Sequence, residues 1–208
     1  MNRDVTILWV ATVAAVSGGP VSAACVPRRT PAPATLVLRR ADLGAGYTGR
    51  GVTVDNTAAA RGAPPGVVAK LARWGRVGGY EVDFTRRATP ATLQDGPLAV
   101  TSSASVYRSE SGARAAFAYS GRYLVPGGDV PLPLGFAVGE EARQWVSGSL
   151  GTMLEYIVIW RERTIDASIA LTGRVGVVSA ADIAPLALKQ DARIRAALRP
   201  GRTCAKQP

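Results

Sequence analysis

The acidic side chains are the residues of this sequence best placed for chemistry. Glu81 with Asp83, Glu140 with Glu141, and Glu155 with Asp166 are the carboxylate pairs. Two acids flanking a scissile bond are what glycoside hydrolysis needs, one to protonate the leaving group and one to act as base or nucleophile. Adjacent residues of a strand face opposite ways, so Glu140 and Glu141 are expected to diverge. Glu155 and Asp166 fall on the two arms of an expected hairpin, where they can approach each other. The default reading is simpler: solvent-facing acids paired with Arg161 and Arg163.

Other catalytic designs are excluded by composition. The chain has no histidine, which removes serine–histidine and cysteine–histidine nucleophile systems, histidine general bases and most catalytic zinc sites. Two cysteines, Cys25 and Cys204, are too few for a four-cysteine metal site. Neither Gly-x-Ser-x-Gly nor Ser-x-x-Lys occurs. Gly44-Ala45-Gly46-Tyr47-Thr48-Gly49 fits G-x-G-x-x-G in form. A dinucleotide site needs a helix opening inside that motif and an acid about 20 residues on. Arg50-Gly51-Val52-Thr53-Val54 follows instead, so the segment is read as a glycine-rich turn. No enzyme activity, cofactor or metal is expected.

Two binding features remain. Arg195, Arg199 and Arg202 recur at i, i+4 and i+7 and would form a basic stripe able to contact anions such as phosphate. Their alternative role is a solvated C-terminal turn that complements the helix dipole. Trp74, Trp145, Tyr156 and Trp160 could line a groove, although core or sheet-face packing is the commoner use of such rings.

The elements that carry these residues follow from periodicity. In 66–74, Val67, Leu71 and Trp74 share one face of a short helix. Tyr80, Val82 and Phe84 alternate with acids as a half-buried strand, and Leu98 to Tyr107 is a second. Ser109 caps a helix running to about Leu124. Arg143 to Ser147 is a short strand. Thr152 to Trp160, apolar on both faces, is expected to be an interior strand, and Ile165 to Thr172 alternates as its neighbour. A last helix is expected from near Asp182, as its N-cap, to about Leu198, with Pro185 in the first turn. The order is αββαβββα. Runs 79–124 and 143–198 each read as strands then helix. The fold class is α+β: a single antiparallel sheet of about five strands, with helices packed on one face.

The ends of the chain bear on location. Arg3, an uncharged run from Val5 to Val16, Gly18-Gly19-Pro20 and Val21-Ser22-Ala23 make the three-part pattern of a secretory signal over residues 1–24. The run is shorter than the ~20 residues of a membrane span. Residues 25–35, with three prolines, read as a linker or arm, and 36–204 as one domain. Cys25 and Cys204 then have two incompatible uses. They can form one disulfide in an oxidising compartment, or Cys25 can be a lipoprotein's acylated cysteine, although Ser22 stands where that signal has an aliphatic residue. Two free thiols is the third reading.

Net charge is +10, with 22 arginines against 3 lysines. That balance draws an exported chain to anionic surfaces. The basic residues come in scattered pairs, such as Arg28-Arg29, Arg39-Arg40 and Arg86-Arg87, not as a polybasic block. Nucleic acid is not expected as a partner. An envelope protein, a lipid or an anionic wall polymer is, through peripheral or lipid-anchored membrane contact.

A set of short segments carries a resemblance. Asp42-Leu43-Gly44-Ala45-Gly46-Tyr47 precedes a β run ending Ser105-Val106-Tyr107 and a helix with Ala113, Ala115 and Ala116. Leu134-Gly135 leads to Val138-Gly139-Glu140-Glu141-Ala142, then Ile159 to Ile165, then a helix with Ala187 and Gln190 to Ile194. Across most of 36–198 this order resembles uncharacterised secreted or lipoprotein domains of high-GC bacteria. The resemblance implies an α+β domain in the cell envelope and supplies no catalytic residues. The expected function is that of a non-enzymatic, exported binding module. A small-ligand or lipid carrier with a pocket between sheet and helices is the alternative, and a carboxylate-dependent hydrolase the third.

Overall fold

The structure is a computed structural model that describes residues 30–123, 129–148 and 152–199. Among these residues, seven strands form one antiparallel sheet. They are β1 (Thr48–Val54), β2 (Arg76–Thr85), β3 (Ala99–Tyr107), β4 (Val130–Leu132), β5 (Glu141–Ser147), β6 (Met153–Glu162) and β7 (Ile165–Arg174). Four α-helices accompany them: α1 (Asn56–Ala59), α2 (Val67–Arg73), α3 (Glu110–Tyr123) and α4 (Ala180–Leu198). The spatial order is β1-β2-β3-β7-β6-β5-β4. Two meanders therefore meet at β3 and β7, and α3 carries the chain from the first to the second.

The sheet has two more strands than the sequence pattern gives. β1 opens by alternating glycine with polar residues and is exposed along almost its whole length, so Val52 and Val54 alone carry an apolar alternation. Its glycines have a packing reason. A Cβ on Gly49 would lie 2.6 Å from the Phe84 ring, and one on Gly51 would collide with the Tyr80 hydroxyl. The rings of β2 lean over β1 into that space. β4 spans three residues around Pro131, a residue confined to sheet edges because it donates no ladder hydrogen bond.

The helices lie on both faces of the sheet, which corrects the one-face arrangement. The register aligns Phe84, Val82 and Tyr80 with Val100, Ser102 and Ala104, and these with Leu171, Ile169 and Ala167. Val158 and Trp160 continue the same face. α4 closes it with Ile183, Ala187, Ile194 and Leu198, together with Leu36, Val37 and Leu38 of the N-terminal segment. The opposite face carries Glu81, Ser103, Ser105, Asp166 and Ser168, and here α2 and α3 pack. Trp74, Tyr107, Ala113 and Ala116 make a small second core at one end. The strands-then-helix order does recur in the two halves of the chain. Its helices go to opposite faces because only one face is apolar enough to need full cover.

Several buried polar groups on the α4 face are matched, although Trp160 Nε1 and Asp191 Oδ1 have no hydrogen-bond partner there. Ser102 Oγ accepts from the Leu38 N–H (3.0 Å) and donates to Gln190 Oε1 (2.7 Å), while Gln190 Nε2 donates to the Ser103 carbonyl (2.8 Å). Arg193 forks onto Asp42 at 2.7 and 2.8 Å and also donates to the Val37 carbonyl. These bonds fasten residues 36–42 to α4. Helix α4 starts earlier than its sequence suggests. Ser179 is the N-cap, and Asp182 is three residues inside, where Oδ2 accepts from the Ser179 N–H (2.7 Å) and hydroxyl (2.9 Å). Pro185 consequently lies past the first turn. Ser109 caps α3 as expected, accepting from the Gly112 N–H at 3.1 Å.

Candidate functional site

The polar face of the sheet is only partly roofed. Between it and α2 and α3 lies a half-open cleft of about 390 Å³. Ser103, Ser105 and Ser168 form its floor, and Val54, Leu71, Phe117, Ile157 and Ile159 supply apolar walls. Arg76, Glu81, Tyr107 and Asp166 border it with polar groups. Small serines on the floor leave the room that larger side chains would fill. Ser103 and Ser168 satisfy each other across the β3–β7 ladder at 2.7 Å.

One row of the sheet organises the charges. Gly79, Ser105, Asp166, Arg161 and Glu141 are successive cross-strand partners on β2, β3, β7, β6 and β5. Arg76 joins this row because the β2–β3 register shifts between Arg76 and Gly78. Its guanidinium occupies the space a Cβ on Gly79 would need. Nε donates to Ser105 Oγ (3.1 Å), and Nη1 donates to the Val54 carbonyl (3.0 Å) and Asn56 Oδ1 (3.1 Å). Arg76 is 6% exposed. Among the described residues no acid forms an ion pair with it. Burial pushes its pKa below the ordinary arginine value, yet a guanidinium stays protonated at neutral pH.

Arg161, three positions along that row, is fully engaged. Nε and Nη2 donate to Glu141 (3.1 and 2.8 Å), Nη2 also reaches Glu140 (2.7 Å), and Nη1 donates to the Arg163 carbonyl (3.0 Å). Glu140 and Glu141 thus converge on one cation instead of diverging. Glu141 opens β5, while Glu140 precedes it in an irregular loop whose N–H donates to the Arg161 carbonyl. Strand alternation does not apply across that boundary.

Asp166 lies between the two arginines and is bonded to neither. Its Oδ1 is buried without a hydrogen-bond partner. Burial pushes the Asp166 carboxyl well above the ordinary carboxylate range; the neighbouring Tyr107 hydroxyl, Arg161 and Arg76 oppose the shift, and Glu141 adds to it. Burial raises Tyr107 too, and Asp166 reinforces that effect. Glu81 is likewise raised, first by burial and then by Asp83.

The other expected site residues fall elsewhere. Glu155 and Asp166 do not approach: Glu155 pairs with Thr172 and Asp166 with Arg161. Six residues of β6 separate those rungs, about 20 Å at the usual rise. Arg163 pairs with Glu110 at 2.9 Å. Arg195 is held by Asp191 (2.6 Å) and Glu162 (3.2 Å). Arg199 is the exposed C-cap of α4. Arg202, Cys25 and Cys204 lie outside the described residues, as does the whole signal-like segment 1–24. Trp160 is buried in the α4-side core, Trp145 is buried on β5, and Tyr156 packs against the main core. Trp74 stacks on Tyr119 with ring centroids 5.4 Å apart. Gly44 to Tyr47 is a turn leading into β1, whose first two residues are Thr48 and Gly49. Among the described residues no cluster of three potential metal ligands occurs, and no helix is long and apolar enough to cross a membrane.

Arg76 escaped sequence reasoning entirely. It stands outside every arginine pair, and only the register shift on β2 brings it over Gly79. The Gly78-Gly79 pair just after it was the available signal, since consecutive glycines inside a strand mark a bulge or a close approach.

No family model and no curated protein matches the chain. Among solved structures, the extracellular domain of PknH from Mycobacterium tuberculosis has a similar fold, with TM-score 0.50 and 10% identity over 79% of this chain and 99% of that one. At that identity the likeness bears on fold alone.

Proposed function

We propose that this chain is an exported, non-enzymatic binding module whose ligand seat is the cleft between the polar sheet face and helices α2 and α3. The observation that carries this reading is the unpartnered, buried Asp166 Oδ1 beside a cavity of about 390 Å³. A buried polar atom without a partner destabilises a fold by roughly 1–3 kcal/mol. Such an atom beside a partly apolar cavity is what a site looks like before its ligand arrives. The lining of apolar walls and a few polar groups suits a small amphipathic molecule.

The hydrolase alternative gains nothing from the geometry. Glu155 and Asp166 are far apart, and Glu140 and Glu141 are bound to Arg161. Export is supported by the signal-like segment at residues 1–24 and by the resemblance to secreted domains. The +10 charge supports peripheral contact with an anionic envelope surface, through lipid, wall polymer or an envelope protein.

The test is fluorescence of the neutral probe N-phenyl-1-naphthylamine. The wild-type chain should enhance it saturably. Ser168→Trp, which fills the cleft floor, should weaken that binding about tenfold or more while leaving the circular dichroism spectrum unchanged. Equal probe binding by wild type and a folded Ser168→Trp would overturn the cleft as the site.

A further inference from the structure

We infer that the cleft takes a small organic carboxylate, its head group seated over Ser105 between the Arg76 guanidinium and the Asp166 carboxyl. This rests on the cleft being the ligand site. Ser105 is the residue between the two groups in the cross-strand row, with Gly79 on one side and Asp166 on the other. Neighbouring strands are about 4.8 Å apart, so the Gly79 and Asp166 backbones are separated by about 10 Å. Arg76 reaches into that interval from the Gly79 side and already donates to Ser105 Oγ. Its bonds to protein acceptors run from Nε and Nη1, not from Nη2. Asp166 closes the other side without bonding Arg76 or Arg161. A planar group with two acceptor oxygens matches a guanidinium edge on one side and a carboxylic O–H on the other.

Charge selects an anion over a cation. Arg161 is neutralised by Glu140 and Glu141, and on α3 Arg114 lies 3.5 Å from Glu141 while Glu110 is taken by Arg163. Arg76 is thus the cation bordering the cleft that no acid ion-pairs; Asp55 acts on it only at longer range, and Glu81, the other charged group on the border, is shifted by burial toward its neutral form. The groups around Asp166 are Arg76 on β2, Tyr107 on β3, Arg161 on β6 and Glu141 on β5. Burial keeps Asp166 protonated beyond the usual carboxylate range, so it donates to an incoming anion without repelling it. An ammonium ligand would need an ionised Asp166 and would sit beside Arg76. The apolar body of the ligand then runs over Ser103 and Ser168 toward Ile157, Ile159 and Phe117.

Displacement of N-phenyl-1-naphthylamine from the full chain by octanoate, octanamide and octylamine tests this. At pH 6, octanoate should displace the probe at about one-tenth the concentration octanamide needs, and octylamine should be weakest, since a charge-assisted bond is lost in each. Arg76→Gln should abolish the preference for octanoate over octanamide. Asp166→Asn, neutral at every pH, should keep octanoate binding and remove the weakening that the wild type shows as rising pH ionises Asp166. Octanamide or octylamine displacing as well as octanoate would overturn the proposal, as would a preference that survives in folded Arg76→Gln. Should that variant fail to fold, the wild-type ranking and the Asp166→Asn pH profile decide. Probe binding that Ser168→Trp leaves unchanged counts against the cleft itself; probe binding lost in Ser168→Trp without an octanoate preference counts against the carboxylate alone.

Discussion

The two faces of the sheet solve the same packing problem to different degrees. On the α4 face, a 19-residue helix and the N-terminal segment seal the strands. The polar groups of Ser102, Gln190 and Asp42 all have partners there. On the α2/α3 face the floor is serine, the roof is partial, and the unpaired buried oxygen of Asp166 borders an open cleft, whereas the unpaired Trp160 Nε1 of the α4 face is sealed inside the core. A fold selected for stability alone would fill such a face or let water reach it freely. On the proposed reading, stability lies with one side of the sheet and binding with the other.

The largest test of that division compares adjacent residues of β7 that point to opposite faces. Ile169 is 0% exposed under α4, so Ile169→Ala should destabilise by about 2–5 kcal/mol, the usual loss for a truncated core side chain. Ser168 lies on the cleft floor, and Ser168→Ala removes only its bond with Ser103. Its effect should stay below about 1.5 kcal/mol, the net worth of one such bond. Urea denaturation of both variants checks the ratio. Comparable losses would mean that the cleft face is as tightly packed as the core.

The second test asks whether the polar links of the α4 face matter as much as its apolar contacts. Gln190→Ala strips Ser102 of its acceptor and the Ser103 carbonyl of a donor. Leaving buried polar groups unpaired costs about 1–3 kcal/mol, so the midpoint of urea denaturation should fall by less than in Ile169→Ala. Faster proteolysis near residues 36–42 should accompany it, because Gln190 and Arg193 both bind that segment through Ser102, Val37 and Asp42.

Much of this division was visible in the sequence, though unevenly. Tyr80-Val82-Phe84 and Ile165-Ala167-Ile169-Leu171 announce strands because one of their faces is uniformly apolar. Ser109 and the alanines after it announce α3 for similar reasons. β1 was illegible because its first four residues are glycine and polar and only Val52 and Val54 alternate, and what makes it a strand is the ladder to β2 and the rings of Tyr80 and Phe84. Asp166 was noted as a carboxylate with Glu155 or Arg161 as its companion, and the structure sets it across the ladder from Arg161 but buried and unbonded to it. Its nearness to Arg161 and Arg76 depends on register, which hydrophobic alternation on one face fixes only after the strand order is known. Neighbouring in sequence likewise misled at Glu140 and Glu141, where a strand boundary turns two expected opposites onto one arginine.

The smallest effects separate the faces most sharply, because their signs oppose. Asp42, on the α4 face, is held below the ordinary carboxylate range, chiefly by its bonds with Arg193 and against the effect of burial. Its folded form favours the ionised state. It therefore adds stability above the unfolded value near pH 4 and loses it as the pH falls through the lower folded value. Asp166 is shifted upward, so the folded state holds a proton that the unfolded chain has released, and stability declines as pH rises above about 4. Asp42→Asn should destabilise at pH 7 by about 1 kcal/mol or less, as for other partly exposed ion pairs. Asp166→Asn should raise the melting temperature at pH 7, consistent with an acid retained for binding at the expense of stability. Both differences from wild type should shrink toward zero near pH 3, where each carboxyl is protonated in the unfolded chain and Asp166 is protonated in both states. Thermal melts across pH 3–8 measure the two curves. If Asp166→Asn destabilises across that range, Asp166 is a structural acid and the cleft face is built for stability as the α4 face is.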